Sequence, residues 1–202
     1  MSLSYDPEQV LRLLDTARVD PQTKKVLKDR RSEHNGSGRE YFETSQFESL
    51  KALIARVLPD SKFTLAVSSQ IDHRLFKNEG NGWRYGALPV DGEAYVKGLN
   101  LIEGYALHEY QKSFACLDSE DQDRLLGLMI DGRIVASQED LNFINLFFEE
   151  ILGESTELYY SYPEALAEIG CASFAAALGF NKIGLNEKEA WEPRLENGDA
   201  NE

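Results

Sequence analysis

Cysteine and methionine are scarce in this chain of 202 residues, which contains two of each. The two cysteines, Cys116 and Cys171, are too few for the disulfide framework of a small secreted scaffold or for a four-cysteine zinc or iron–sulfur site. A chain of this length buries roughly 70% of its unfolded surface and needs no such support. We expect both cysteines to be small buried hydrophobic residues.

Basic residues are also few. The chain has 21 Lys and Arg residues against 35 Asp and Glu residues, which gives a formal net charge of −14. Lys and Arg supply most of the affinity for nucleic-acid phosphates and anionic lipids, so the composition favours neither partner. The acidic excess lies in residues 101–202, which carry a net charge of −15. This half is either a solvated acidic surface or a face for a basic protein.

Long apolar runs are absent. The longest nearly apolar stretch, residues 172–180, is shorter than the ~18 residues that a membrane-spanning helix needs. We therefore expect no direct membrane insertion. Residues 1–8 contain neither the basic nor the apolar segment of a signal peptide, and polar residues follow Arg30-Arg31 where a twin-arginine signal needs apolar ones. The sequence thus predicts no export signal and leaves the compartment open.

Helix-start signals and changes in composition divide the chain into three predicted parts. Asp6-Pro7 and Asp20-Pro21 each combine an N-cap residue with a first-turn proline, which predicts an N-terminal helical hairpin in residues 1–34. Residues 41–180 carry most of the remaining helical periodicity and form the predicted main domain. Residues 181–202 are acidic, contain few apolar residues and predict a C-terminal tail.

The main domain is predicted to be helical throughout. Capping-box patterns predict helix starts at Ser45 and Ser119, and Ser137 is the predicted cap of another helix. Leu53 and Ile54 lie on the apolar stripe of the first of these helices and are predicted core residues. Because no segment alternates apolar and polar residues as a strand would, the sequence predicts an all-α, multi-helix bundle. Further helices are expected at residues 65–76, after Asp91, from Tyr162-Pro163 and at residues 172–178.

The recognisable catalytic and metal-binding patterns are incomplete. His108-Glu109 begins a zinc-protease helix motif, but Lys112 occupies the position of the second histidine, where its ammonium would repel a metal ion. No histidine has an acidic residue three positions before it, as a di-iron bundle requires. Phosphate loops, dinucleotide loops and nucleophile elbows are missing as well. The sequence therefore predicts that this chain holds no metal, haem or flavin by itself.

Asp72-His73 is the best remaining acid–base candidate. A carboxylate next to an imidazole on a helix is either a solvated surface pair or a general-base pair in a pocket. The first interpretation is favoured here. A small helical enzyme would need Asp72 and His73 to line a pocket together with other titratable groups.

Aromatic residues are placed in loops and near predicted helix ends. Exposed aromatic side chains bury a large area at low entropic cost, and they are common anchors of protein interfaces. The alternative is that they seal the loops over the core. The candidate partner-binding residues are Trp83, Tyr85, Tyr159, Tyr160 and Tyr162.

Short motifs follow one another in a characteristic order from Tyr41 to about residue 180. They are the segment of residues 47–60, Gln70-Ile71-Asp72-His73-Arg74-Leu75, Tyr95-Val96-Lys97-Gly98-Leu99, Phe114 with Leu117, Asp121-Gln122 with Leu125-Leu126, Phe147-Phe148 and Tyr162-Pro163. This order resembles the gluconate 2-dehydrogenase subunit 3 family. The resemblance implies a small helical accessory subunit with no catalytic residue of its own.

The resemblance also implies partners. Such a subunit binds a large flavoprotein dehydrogenase of sugars or polyols, which holds FAD, and a cytochrome c subunit often accepts the electrons. The family implies a periplasmic location and an assembly or export role, commonly through a twin-arginine signal. This chain departs from the family in that signal and in residues 164–170, where a Gly-Gly-Asn and Gly-Trp segment is usual. The alternatives are an acidic all-α adaptor for a basic protein and a small helical enzyme with an Asp72–His73 site.

Overall fold

The fold is all-α, as the sequence predicts. The computed structural model describes residues 7–32, 39–59, 61–80, 85–171, 182, 184–185 and 187–192. These residues form eight α-helices, two short 3-10 helices at Ser61–Phe63 and Phe114–Cys116, and no strand. None of the helices in this part of the chain is long and apolar enough to cross a bilayer. The helices are α1 (Pro7–Leu13), α2 (Pro21–Ser32), α3 (Thr44–Val57), α4 (Thr64–Phe76), α5 (Asp91–Tyr110), α6 (Ser119–Ile130), α7 (Gln138–Tyr160) and α8 (Pro163–Glu168).

The chain forms two compact units, which differ from the predicted domains. One unit combines residues 1–34 with residues 159–202, and the other contains residues 35–158. The prediction assigned residues 159–180 to the main domain, whereas α8 packs against α1. Periodicity identifies the apolar stripe of a short helix but does not identify the stripe that it packs against. The predicted helix at residues 172–178 lies outside the described residues.

In the first unit, α2 begins where Asp20-Pro21 predicts. One carboxylate oxygen of Asp20, Oδ1, accepts the backbone N–H groups of Gln22 and Thr23, both at 3.0 Å. Hydrogen bonds from the Thr23 hydroxyl and then from the Thr23 N–H lower the pKa of Asp20, because they stabilise the charged carboxylate. Leu14 and Val19 of this unit are buried.

Two helix starts in the second unit differ from the predicted ones. The N-cap of α3 is Glu43, whose N–H donates to Gln46 Oε1 at 3.3 Å, and the N-cap of α6 is Asp118, which accepts the Asp121 N–H at 2.9 Å. The predictions at Ser45 and Ser119 were therefore wrong by one or two residues. At α6, an aspartate that directly precedes the serine offers a charged acceptor at the positive end of the helix dipole. The prediction of Ser137 as the cap of α7 is confirmed, since its Oγ accepts the Asp140 N–H at 3.0 Å.

The core of the second unit contains apolar residues of α3, α4, α5 and α7. Leu53 and Ile54 are fully buried on α3, which confirms their prediction as core residues. The Phe147 ring of α7 meets the Tyr95 ring of α5 edge-on, with centroids 5.6 Å apart, and stacks on Phe143 at 6.1 Å. Such aromatic pairs add about 0.5–1.5 kcal/mol beyond the area that they bury.

Gly98 is the point at which the α5 backbone lies directly against the Phe147 ring. A Cβ atom at Gly98 would be 2.4 Å from Phe147 Cε1, which is closer than real Cβ contacts allow. Gly104 lies on the same helix and is exposed, and a Cβ there would meet no described atom within 4 Å. The same substitution therefore has opposite consequences at these two positions.

Gly98→Ala is expected to lower the free energy of unfolding by about 1–2 kcal/mol. Overpacking in a core costs about 1–3 kcal/mol, and the better helix propensity of alanine returns up to about 1 kcal/mol. Gly104→Ala gains the helix propensity of alanine without any overpacking, so it is expected to be more stable than the wild-type protein by up to about 1 kcal/mol. Urea unfolding of both variants measures the difference, and equal midpoints would show that the Phe147 ring moves without cost.

Candidate partner-binding surface

Asp72 of α4 is a buried residue that holds a neighbouring segment in place. Its side chain is 0% exposed. Asp72 Oδ2 accepts the Glu40 N–H, and the Tyr41 N–H lies 3.1 Å from Oδ2 and 3.2 Å from Oδ1. Oδ1 also accepts the Phe42 N–H at 2.9 Å. One carboxylate thus satisfies three successive backbone donors that belong to no helix.

His73, the neighbour of Asp72, forms a separate contact near the surface. Its Nδ1 lies 3.0 Å from Glu40 Oε1, and the His73 side chain is half exposed. The prediction of a solvated surface pair was wrong for Asp72, which is buried, although His73 is accessible. The two side chains do not form a general-base pair, because both oxygens of Asp72 already accept backbone hydrogen bonds. The helical-enzyme alternative loses its best candidate site in this way.

Arg74, one residue further along α4, is the centre of a buried ionic cluster. Its Nε donates to Glu154 Oε1 at 2.6 Å, and its Nη2 donates to Glu154 Oε2 at 2.8 Å. Its Nη1 donates to Asp91 Oδ2 at 2.8 Å and to the backbone oxygen of Glu79 at 2.6 Å. The Tyr95 hydroxyl completes the cluster by donating to Glu154 Oε2 at 2.6 Å. The cluster joins α4, the first turn of α5 and α7.

Burial and charge act in opposite directions on the Arg74 cluster. Burial alone lowers the pKa of the Arg74 guanidinium, but the hydrogen bonds and charge of Glu154 and the hydrogen bond to Asp91 outweigh it, so the pKa lies above its usual value. Burial raises the pKa of the Tyr95 hydroxyl well above its usual range, and the Glu154 charge raises it further. Arg74 therefore stays charged and Tyr95 stays neutral at physiological pH.

The predicted aromatic anchors occupy different environments. Tyr85 is half-buried and donates to Glu149 Oε2 at 2.5 Å, a hydrogen bond that raises its pKa. Tyr159 and Tyr162 are 1% and 0% exposed, which agrees with the alternative that they pack into the core and not with a role as exposed anchors. Tyr160 is half-buried, and its ring lies 4.9 Å from that of Tyr159. Trp83 lies outside the described residues.

The burial of Tyr159 and Tyr162 has a local cause. The Tyr159 hydroxyl donates to Glu168 Oε2 at 2.8 Å. Tyr162 is the N-cap residue before Pro163, where α8 begins. Their positions near a helix end suggested exposure, but both side chains are buried at the junction of α7 and α8.

The cysteines are more exposed than the sequence suggested, and His108 lies at the surface. Cys116 is exposed and Cys171 is half-buried, so the prediction that both are buried was wrong. His108 is exposed on the last turn of α5, with Nδ1 2.8 Å from Glu109 Oε1. Within the described residues, no three His, Cys, Asp or Glu side chains are placed to share a metal ion.

Tyr41 is an exposed aromatic residue that was not among the predicted partner-binding residues. It is 39% exposed, and its ring packs edge-on against Phe42, with centroids 5.1 Å apart. Its hydroxyl lies over the first turn of α5, where a Cβ at Gly92 would be 2.3 Å away. The backbone N–H of Tyr41 donates a hydrogen bond to the Asp72 carboxylate. The sequence signal was weak, because the position of Tyr41 depends on a carboxylate 31 residues away.

Two grooves meet at Tyr41, and both are lined by Gly92 and Glu93 as well. The first groove has a volume of about 510 Å³ and runs along α5. The second has a volume of about 350 Å³ and lies between the end of α4 and the start of α5. The first is lined further by Val96, Lys97, Asn100 and Leu101, and the second by Leu75, Asn78, Glu79, Gly80, Val90 and Asp91.

Comparison with known proteins agrees with the sequence resemblance. The chain matches the family model described as Gluconate 2-dehydrogenase subunit 3 over residues 44–184. No curated protein and no solved structure matches it. The matched range contains Asp72, Arg74 and the α5 side of both grooves, and Tyr41 lies just before it.

Proposed function

The chain belongs to the gluconate 2-dehydrogenase subunit 3 family, and on this premise we propose that it is a non-catalytic accessory subunit of a flavin-dependent sugar or polyol dehydrogenase. In this proposal the large partner subunit holds FAD and performs the oxidation. A cytochrome c subunit receives the electrons from the flavoprotein and not from this chain. The chain itself contributes a binding surface.

The observation that carries the proposal is that Asp72, the best catalytic candidate in the chain, has a structural role. Both carboxylate oxygens of Asp72 accept hydrogen bonds from backbone N–H groups. The imidazole of the neighbouring residue, His73, pairs with Glu40 and not with Asp72. Arg74 and Glu154, the most deeply buried ion pair described, are bonded to each other. These groups support a rigid fold with a binding role more readily than acid–base chemistry.

The physical effect of such a subunit is stabilisation by mass action. A protein that binds only the folded form of its partner stabilises it by about 2.7 kcal/mol when its free concentration is 100 times Kd. A large flavoprotein that is marginally stable alone then accumulates in folded form. The rate of its chemical step need not change.

Co-expression tests the proposal. The flavoprotein dehydrogenase encoded beside this chain is produced with and without it, and soluble yield, flavin absorbance and dehydrogenase activity are measured. We expect co-purification, together with a several-fold loss of soluble flavoprotein when the chain is omitted. Equal yields with no co-purification would contradict the accessory-subunit proposal.

His73→Ala is the matched control for the enzyme alternative. The His73 side chain is about half exposed, and its imidazole pairs with Glu40. A non-catalytic subunit with this substitution is expected to leave both complex formation and turnover unchanged. An intact complex that loses activity would return the function to an Asp72–His73 enzyme site.

A further inference from the structure

We infer that the two grooves beside Tyr41 are the docking site for the dehydrogenase subunit, and that they receive an apolar side chain of that subunit flanked by Lys or Arg. This surface is called the Tyr41 surface below, and it consists of Tyr41, Glu79, Val90, Gly92 and Glu93. The inference rests on the proposed function, because it names the place where the proposed partner binds. It concerns residues of the second unit only.

The apolar part of the Tyr41 surface is exposed and contiguous with the grooves. Tyr41 is 39% exposed and Val90 is 53% exposed, and both line the groove between α4 and α5. Leu75 also lines that groove. Aromatic side chains next to a concave apolar surface are typical of the residues that dominate binding energy in protein interfaces.

Tyr41 is held in place before any partner binds. Asp72 binds the N–H groups of residues 40, 41 and 42, Phe42 is buried directly behind it, and Gly92 leaves room for the Tyr41 hydroxyl. An anchor whose position is already fixed loses little conformational entropy on association. This preorganisation distinguishes Tyr41 from a randomly exposed aromatic residue.

The charges around the grooves define the partner's chemistry. Glu79 and Glu93 are exposed, and neither carboxylate has a hydrogen bond or ion pair with a described residue. Lys97, which lines the first groove, lies 3.8 Å from Asp140 and 4.1 Å from the centre of the Phe143 ring. Arg74, which donates to the backbone oxygen of Glu79, is paired with Asp91 and Glu154. Two unpaired carboxylates beside the apolar side chains of Tyr41 and Val90 complement a Lys or Arg side chain next to an apolar one.

Direct binding of purified components tests the inference. The probe is the flavin-loaded dehydrogenase subunit from the co-expression experiment, and binding to this chain is measured by surface plasmon resonance. Tyr41→Ala is expected to weaken binding about 30-fold or more, as for other central aromatic anchors. Tyr41→Phe, which keeps the ring, is expected to retain most of the affinity.

Two further variants keep the test valid if Tyr41→Ala destabilises the fold. Gly92→Ala displaces the Tyr41 hydroxyl without removing any side chain, and it is expected to weaken binding. Glu79→Lys combined with Glu93→Lys reverses the charge at exposed positions and is expected to slow association about 10-fold at low ionic strength. The effect of charge reversal should shrink as salt is added.

The matched controls lie elsewhere in the same unit. Leu107→Ala removes an apolar side chain that is 49% exposed and lies roughly 20 Å along α5 from Glu93. Glu120→Lys reverses an exposed charge on α6. Neither control is expected to change the affinity.

Each outcome decides a different point. Wild-type chain that does not bind the flavoprotein would contradict the proposed function itself. Binding that is unchanged in all Tyr41-surface variants would overturn the docking site and leave the proposed function intact. A wild-type dimer, detected by sedimentation velocity and lost in Tyr41→Ala, would assign the surface to a second copy of this chain and also overturn the inference.

Discussion

Arg74→Ala is expected to lower the free energy of unfolding by about 3–5 kcal/mol. The substitution removes the cation that faces Glu154 and Asp91, whose side chains are 4% and 16% exposed. Both carboxylates would then remain in a poorly solvated site without a counter-charge. It also removes the hydrogen bond to the backbone oxygen of Glu79. Denaturant unfolding followed by circular dichroism measures the loss.

Arg124→Ala is the matched control for this prediction. Arg124 also pairs with carboxylates, but it is 58% exposed and its partner Glu120 is 85% exposed on the same helix. Exposed pairs of this kind contribute about 0.3–0.5 kcal/mol. A loss of similar size in the two variants would show that the Arg74 cluster is no more important than a surface ion pair.

An apolar replacement of the cluster separates the need for charge from the need for packing. Arg74→Met combined with Glu154→Met and Tyr95→Phe removes the guanidinium together with two of the polar groups that surround it. The carboxylate of Asp91 and the backbone oxygen of Glu79 still lose their donor. Buried ion pairs are often replaceable by apolar groups of similar volume at little cost. We expect this triple variant to recover part of the stability that Arg74→Ala loses, because Glu154 no longer carries a buried charge while Asp91, at 16% exposure, still does.

Asp72→Ala is expected to lower the free energy of unfolding by about 3–5 kcal/mol as well. Hydrogen bonds to a charged acceptor are worth about 1.5–3 kcal/mol each, and the variant leaves the N–H groups of residues 40, 41 and 42 without that acceptor. Water can replace the carboxylate at Glu40 and Tyr41, which are exposed, but less readily at Phe42. The loss is measured by denaturant unfolding.

His73→Ala controls for a general effect of changing this turn of α4. Its exposed pair with Glu40 is expected to contribute less than about 1 kcal/mol. If Asp72→Ala were as stable as His73→Ala, the carboxylate would not be needed to hold residues 40–42. Asp72 would then be available for the chemistry that the helical-enzyme alternative requires.

The helices and the core were predictable because they depend on local spacing. Leu53 and Ile54 follow Leu50 by three and four residues on α3, and this spacing can be read from the sequence whatever the helix packs against. Helix starts were predictable to within two residues, since adjacent polar residues such as Asp118 and Ser119 compete for the N-cap position. The order of motifs was also sufficient to identify the family.

The surface was less predictable because it depends on contacts between distant residues. Asp72 is polar and lies on a helix, and only its bonds to residues 40–42 explain its burial. Tyr41 gains its fixed position from those same bonds. Tyr162 directly precedes Pro163 at the start of α8, a position that suggests exposure, yet its side chain is fully buried. The sequence pattern identifies apolar positions, but it does not identify which distant backbone segment a polar side chain will bind.

The hydrogen bonds that Asp72 accepts also provide a way to measure the order of the Tyr41 surface by hydrogen exchange. The amide protons of Tyr41 and Phe42 lie outside every helix, so they would exchange rapidly with solvent deuterium if they were free. Because a buried carboxylate on α4 accepts both of them, their exchange requires residues 40–42 to separate from that helix. These two loop amides therefore exchange on the timescale of subglobal opening, and their protection measures how well the surface is preformed in the absence of a partner.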